Sequence, residues 1–208
     1  MNEKIISVNP IEDYFSITWQ LGLFCNYNCM YCPPEWHDST STPHNLEKLK
    51  TAWTNIYNKS KHLNLKYKIS FTGGEPTANN SFLPFLEWLR NNFDCVNQIL
   101  VTSNGSASLN YYKKLCQHIE SLSLSTHSEY MNEKEFFTKC QKLDKIMERP
   151  IKSFHVNIMN EFWNKKRIKL YEKFLKENNI SYSANEIDYS SKIRDFTVNK
   201  GVINIEQI

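Results

Sequence analysis

The chain has 208 residues, of which 40% are hydrophobic and 23% are charged, and its formal net charge is +3. This composition is typical of a globular protein with one sizeable core. The small charge gives no broad basic surface for nucleic acid but allows one local basic patch. The sequence shows no signal peptide and no apolar run near the ~18 residues of a membrane span. We therefore predict one domain, residues 1–208, in the cytoplasm, where thiols stay reduced.

Predicted strands and helices alternate along the chain. The strands are predicted at 14–21, 67–72, 98–103, 121–126, 154–159 and 181–187, and the helices near 45–62, 80–92, 108–118, 133–147 and 161–178. Such alternation favours a parallel α/β sheet built from right-handed crossovers. The interval between the first two strands is the longest, and it contains a cysteine-rich loop at 22–44.

Several predicted strands have one apolar and one polar face. In the fourth strand, Leu122 and Leu124 alternate with Ser123 and Ser125, and the fifth strand shows the same pattern. Parallel strands that are buried on both faces usually form continuous apolar runs instead. We therefore predict an open partial TIM barrel of the (βα)6 type, with a polar inner face that holds a polar ligand. An antiparallel sheet with one solvated face is the alternative, and the intervening helices argue against it.

The chain has only five glycines, and three of them follow the second and third predicted strands. Gly73 and Gly74 come directly after the second strand, and Gly105 comes shortly after the third. Glycine suits positions where the backbone turns tightly or approaches a ligand closely. Because active sites of barrels lie at the carboxyl ends of the strands, we expect these loops and the cysteine loop to share one rim.

Cys25, Cys29 and Cys32 lie close together in the stretch CNYNCMYC. A structural iron–sulfur cubane has four thiolate ligands, so three cysteines leave one iron open to a reacting ligand. A Cys3His zinc site with His37 as the fourth ligand is the alternative. The remaining cysteines are expected to be buried structural thiols: Cys95, Cys116 and Cys140.

The C-x3-C-x2-C spacing, the later FTGGEP and TSNG motifs and the (βα)6 layout resemble the radical S-adenosylmethionine (SAM) superfamily. The resemblance covers nearly the whole chain. It implies one 4Fe–4S cluster on Cys25, Cys29 and Cys32, with the amine and carboxylate of SAM on the fourth iron. It also implies transfer of one electron to the sulfonium, which yields methionine and a 5′-deoxyadenosyl radical that takes hydrogen from a substrate.

The resemblance also assigns SAM contacts by position. Tyr31 matches a residue beside the adenine. The GGEP segment matches the motif that binds the methionyl ammonium, and we expect the Glu75 carboxylate to face that cation from a loop tip. The other contacts, to the carboxylate, ribose or adenine, fall at strand ends. The full predicted set is Tyr31, Gly73, Gly74, Glu75, Pro76, Ser103, Asn104, Ser125, Asn157 and Ile187.

Two histidines, His127 and His155, are predicted on the polar inner face and are the candidate catalytic residues. An imidazole near neutral pH can orient a polar substrate or deliver a proton after hydrogen abstraction. Hydrogen-bonded lining of the barrel is the alternative role for both.

We predict a small polar or nucleotide-like substrate. Its contacts are expected to come from the strand ends, the loop 33–44, the tail 188–208 or a partner subunit. Among radical SAM enzymes, the alternatives are a glycyl-radical-enzyme activase and a 7-carboxy-7-deazaguanine synthase-like enzyme. Outside this class, the alternative is a non-catalytic Cys3His zinc or iron–sulfur scaffold protein. The resemblance implies oxygen sensitivity and an external one-electron donor such as flavodoxin or ferredoxin. No cysteine follows Cys140, so we expect no auxiliary cluster. Membrane and nucleic-acid partners are not predicted, and a homo-oligomer is left open.

Overall fold

Six parallel strands form one sheet in the computed structural model, which describes residues 14–33, 35, 37–147 and 152–187. The strands are Tyr14–Gln20 (β1), Lys66–Thr72 (β2), Val96–Ser103 (β3), Ser121–Ser125 (β4), Ser153–Asn160 (β5) and Tyr182–Glu186 (β6). The helices between them are Leu46–Ser60 (α1), Phe82–Asn92 (α2), Leu109–Leu115 (α3), Glu133–Ile146 (α4) and Lys165–Glu177 (α5).

The strands pair in the order in which they occur along the chain, from β1 at one edge to β6 at the other. Every neighbouring pair is parallel. This arrangement confirms the predicted open (βα)6 partial barrel. The largest difference at a boundary is at α5, which begins at Lys165 because Phe162–Asn164 form a short 3-10 turn first.

The helices cover the apolar face of the sheet. Leu122, Leu124 and Val156 are fully buried, whereas Ser123 and His155 on the same two strands keep partial exposure. Burial of a large apolar side chain contributes about 1.5–3 kcal/mol, so this face supplies most of the stabilisation of the sheet. The predicted strand register is therefore confirmed, and the opposite face is polar.

Helices α1, α3 and α4 each begin at a polar capping residue. The side-chain oxygens of Asn45, Ser108 and Asn132 each accept a hydrogen bond from the backbone N–H three residues later. Each such cap contributes about 1 kcal/mol. Because the caps stand at the ends of loops that follow β1, β3 and β4, they fix the lengths of those loops.

Two of the three isolated cysteines are buried as predicted. Cys116 and Cys140 lie in the core, but Cys95 is only partly buried, because it lies in the loop just before β3. Among the described residues, no helix combines the length and apolar character needed to cross a membrane.

Candidate functional site

The cysteine loop leaves the carboxyl end of β1 and closes on itself. The Cys25 N–H donates to the Asp38 carbonyl oxygen at 2.7 Å, and the Asp38 N–H donates to the Leu23 carbonyl oxygen at 2.7 Å. The Asp38 carboxylate accepts hydrogen bonds from the backbone N–H groups of Thr40 and Ser41. These bonds hold the entry and exit of the loop side by side, as the predicted site at 22–44 requires.

The two glycines after β2 let that strand end approach the cysteine loop. Gly74 has φ +49°, and a Cβ atom there would lie 2.1 Å from the Phe24 carbonyl oxygen. Gly73 has φ +84°, and its Cβ atom would lie 2.0 Å from Cγ of Gln20. The approach allows the Glu75 N–H to donate to the Phe24 carbonyl oxygen at 2.8 Å. The cysteine loop and the GGEP segment therefore form one unit.

The Glu75 side chain is buried, so the expectation of an exposed loop-tip carboxylate is wrong. It accepts four hydrogen bonds: from the N–H and the hydroxyl of Thr77 at 2.9 and 2.6 Å, from the Ser103 hydroxyl at 2.7 Å and from the Asn104 N–H at 2.6 Å. Burial raises the pKa of this carboxyl group, and the four donors oppose that shift. The carboxylate thus joins the ends of β2 and β3. The short turn that follows Glu75 begins at Pro76.

Ser103 and Asn104 lie at the end of β3, and both are buried. The Ser103 hydroxyl is on the helix side of the sheet, where it also lies 2.7 Å from the Tyr112 hydroxyl. The Asn104 amide donates to the Asn26 side-chain oxygen at 3.0 Å and lies 3.9 Å from the sulfur of Cys25. The structure therefore brings Asn104 to the cysteine loop, and SAM contacts by either residue stay predictions.

The cysteines of the loop are reduced, and two of them are buried. The Tyr27 N–H donates to the sulfur of Cys25 at 3.4 Å. Burial raises the pKa of the thiols of Cys25 and Cys29. In the part of the chain that the structure describes, no three His, Cys, Asp or Glu side chains are already placed to hold a metal ion, with or without His37.

Three thiols on one loop, with a backbone N–H directed at one sulfur, nevertheless fit an iron–sulfur cluster by donor type. Soft thiolate ligands favour such clusters, and N–H···S bonds are among the contacts that tune them. Ligation requires deprotonated sulfur, so binding of a cluster would release protons from the thiols of the loop.

The loop after β4 packs on the cysteine loop through His127. The Nδ1 atom of His127 lies 2.6 Å from the Tyr31 hydroxyl and 3.3 Å from the sulfur of Cys29. The rings of His127 and Tyr31 stack with centroids 6.0 Å apart. Desolvation lowers the pKa of His127 to about 4. The structure thus groups His127 with the cysteine loop, past the end of the strand, and its catalytic role stays a prediction.

Two further contacts between these loops were not predicted. The Glu129 carboxylate accepts from the Met30 N–H at 3.3 Å, and the Tyr130 hydroxyl donates to the Asn28 carbonyl oxygen at 2.8 Å. The contacts join residues about a hundred positions apart in the sequence, so no local pattern indicates them. Together with His127 they hold the cysteine loop over the rim.

The polar face of the sheet carries the second predicted histidine. The two ring nitrogens of His155 lie 2.9 Å from the Ser181 hydroxyl and 3.1 Å from the Ser183 hydroxyl. Asn157 lies on the same face, two residues further along β5, where it pairs with Ser125. These partners favour the lining role for His155. Ile187 follows β6 and is half-buried, and the predicted substrate tail 188–208 lies outside the described residues.

Removal of the Tyr31 hydroxyl offers a test of the contact with His127. Tyr31→Phe keeps the stacked ring but loses a short hydrogen bond, so we expect the free energy of unfolding of the metal-free protein to fall by about 1 kcal/mol. Tyr111→Phe is the matched control, because the buried Tyr111 hydroxyl has no hydrogen-bond partner among the described residues. Equal effects of the two substitutions in urea unfolding would show that the Tyr31 contact contributes nothing.

Comparisons with known proteins found relatives of this chain, although no protein-family profile matches it. Over 110 residues, the chain is 28% identical to the GTP 3′,8-cyclase of Pasteurella multocida, and the aligned region covers 49% of this chain and 31% of that protein. Over 99 residues, it is 29% identical to the GTP 3′,8-cyclase of Haemophilus influenzae strain PittGG, and the aligned region covers 47% of this chain and 28% of that protein. The match thus spans less than a third of each of these relatives.

The fold is similar to that of SuiB from Streptococcus suis. The TM-score is 0.63 at 14% identity, and the match covers 89% of this chain and 42% of that one. SuiB bound to its precursor peptide SuiA gives a TM-score of 0.62 at 15% identity, with 86% and 42% covered. At this identity the likeness concerns the fold alone. The motifs and the cyclase relatives support a member of the radical SAM superfamily, and the fold agrees with this.

Proposed function

We propose that the chain is an enzyme that cleaves SAM reductively and uses the resulting radical to abstract hydrogen from a small polar or nucleotide-like substrate. The observation that carries the proposal is the hydrogen bond from the Glu75 N–H to the Phe24 carbonyl oxygen, which joins the GGEP segment to the cysteine loop. When bound, a 4Fe–4S cluster and SAM supply a one-electron cleavage that yields a 5′-deoxyadenosyl radical.

The residues of the chain have separate roles in this proposal. Cys25, Cys29 and Cys32 hold the cluster. The backbone at Gly73 and Gly74 lies beside the cysteine loop without side chains, which leaves peptide groups accessible to the methionyl part of SAM. The loop after β4 covers the cysteine loop, and this cover limits the access of water to a reactive radical.

The polar face of the sheet is the proposed place for the substrate. Ser123, His155 and Asn157 are partly exposed on this face, opposite the helices. Hydroxyl, imidazole and amide groups suit a ligand with many hydrogen-bonding atoms. The cyclase relatives, whose name specifies GTP, support a nucleotide-like substrate over the activase alternative.

Iron content and SAM cleavage test the proposal together. Protein that is reconstituted without oxygen should hold about four irons per chain, the content of one cubane. With dithionite it should release 5′-deoxyadenosine from SAM even without substrate. Cys29→Ala should lose both properties, whereas Cys95→Ala, a cysteine in the loop before β3 and away from this rim, should keep them. Stoichiometric zinc with no absorbance from iron–sulfur bonds would contradict the proposal.

A further inference from the structure

The outer surface of α5 concentrates positive charge. Its sequence KKRIKLYEKFLKE contains six cations and two carboxylates, a net +4, which exceeds the +3 of the whole chain. The apolar residues Ile168, Tyr171 and Leu175 are buried against the sheet, so the cations lie outside. The excess charge of the protein is therefore located on one helix.

The lysines of α5 form a stripe. At 3.6 residues per turn, Lys165, Lys169, Lys173 and Lys176 fall within about 80° around the helix axis, and all four are exposed. Lys173 has an ion pair with Glu177 at 3.8 Å. Lys165, Lys169 and Lys176 form no ion pair within the described ranges. The basic stripe is thus largely uncompensated.

One end of the basic stripe lies beside the cysteine loop. Trp163 precedes α5 by two residues, and its ring centroid is 6.5 Å from that of Tyr31. Tyr31 itself lies between Cys29 and Cys32. A molecule that docks on Lys165 and Lys169 therefore lies next to the loop that holds the proposed cluster. Electron transfer weakens steeply with distance, so a donor has to bind close to this loop, and this end of the basic stripe meets that requirement.

We propose that the basic stripe of α5 is the docking surface for an acidic one-electron donor protein of the flavodoxin class. The inference rests on the proposed function, because that reaction requires one electron from outside the chain. The reduced donor loses one electron and SAM gains it, so the bond between the sulfonium and the adenosyl C5′ breaks to give methionine and the 5′-deoxyadenosyl radical. No bond forms between the two proteins. Complementary charge speeds such encounters and orients the partners without a large apolar interface.

A donor protein fits the basic stripe better than a nucleic acid or a membrane surface does. Single-stranded nucleic acid needs exposed aromatic platforms, but Tyr171 is buried and Phe174 is half-buried. An interfacial membrane helix exposes an apolar face, whereas α5 exposes one large apolar side chain, that of Leu170. The helix is about 20 Å long, which suits the footprint of a small protein.

The test compares two donors on one variant. In Lys165→Glu/Lys169→Glu, we expect 5′-deoxyadenosine formation driven by a purified bacterial flavodoxin, kept reduced by NADPH and its reductase, to fall at least about tenfold at low salt. Cleavage driven by dithionite should stay within about twofold of wild type, because this small reductant needs no docking. The loss should shrink as salt rises, because salt screens exposed charges beyond ~10 Å at 0.1 M.

The matched control is Lys59→Glu/Lys66→Glu, which makes the same charge change on exposed residues at the opposite end of the sheet. It should leave flavodoxin-driven cleavage within about twofold of wild type. Equal losses with both donors, no loss with flavodoxin, or an equal loss in the control variant would overturn the proposal. Tighter binding of a labelled single-stranded RNA than of flavodoxin, lost in the α5 variant, would also overturn it.

Failure of the proposed function gives a different result. In that case wild-type protein cleaves no SAM even with dithionite. Calorimetric binding of oxidised flavodoxin to the reconstituted protein then decides the docking proposal by itself. Binding that weakens with salt and is lost in the α5 variant but not in the control supports the docking surface, and absence of binding overturns it.

Discussion

Replacement of Gly74 by alanine is expected to lower the free energy of unfolding by about 3 kcal/mol and to prevent stable iron binding. The added Cβ atom would lie 2.1 Å from the Phe24 carbonyl oxygen, which belongs to the backbone and cannot rotate away. The cysteine loop has to move, and the hydrogen bond from the Glu75 N–H at 2.8 Å is lost with it. Urea unfolding and iron content after reconstitution measure the two effects.

Asn64→Ala is the control that separates backbone strain from collision. Asn64 has φ 53°, close to the +49° of Gly74, but it lies in an exposed turn. Alanine in this left-handed region costs about 1–2 kcal/mol by itself. A Gly74→Ala protein as stable as Asn64→Ala, with normal iron content, would show that the close approach of the two loops is unimportant.

Glu75→Ala is expected to destabilise the protein by about 3–5 kcal/mol, because it leaves several buried donors without an acceptor. The orphaned groups are the N–H and hydroxyl of Thr77, the Ser103 hydroxyl and the Asn104 N–H. All four groups belong to the end of β3 or to the turn after β2, so we expect the rim to loosen before the core. Chemical unfolding with iron retention as a second measurement tests this expectation.

Glu161→Ala provides a comparison at another buried carboxylate. Glu161 is 1% exposed and accepts hydrogen bonds from Ser128 and Asn164, away from the GGEP segment. We expect a comparable loss of stability but retention of iron at temperatures where the variant is folded. If Glu75→Ala is as stable as wild type and only weakens SAM binding, the carboxylate serves the ligand instead of the rim.

The sequence predicts the sheet well because strand alternation is a local signal. The pattern at Leu122 and Leu124 identifies the buried face, and the structure confirms it. The environment of Glu75 is different, because two of its donors, Ser103 and Asn104, come from the next strand end, 28 and 29 residues later in the chain. A motif of four letters cannot show whether its carboxylate is turned toward a ligand or toward the protein.

The contacts of His127 illustrate the same limit. Its partner Tyr31 lies 96 residues earlier, and the two meet only because β4 and β1 deliver their loops to the same rim. The alternation of residues predicts which face of the sheet a side chain lies on only within the strand. Because β4 ends at Ser125, this rule does not apply to His127. In contrast, the cationic run of α5 is readable in the sequence, although its place beside the cysteine loop is not.

The open sheet has a consequence for the size of molecules that can be processed. A closed eight-stranded barrel fills its interior with side chains and admits ligands only through its mouth. Here β1 and β6 are both edges, so the described part of the sheet leaves its polar face accessible from the side. A polar ligand can therefore approach this face laterally as well as from the rim, and the parts of the ligand that do not contact the face can stay in solvent.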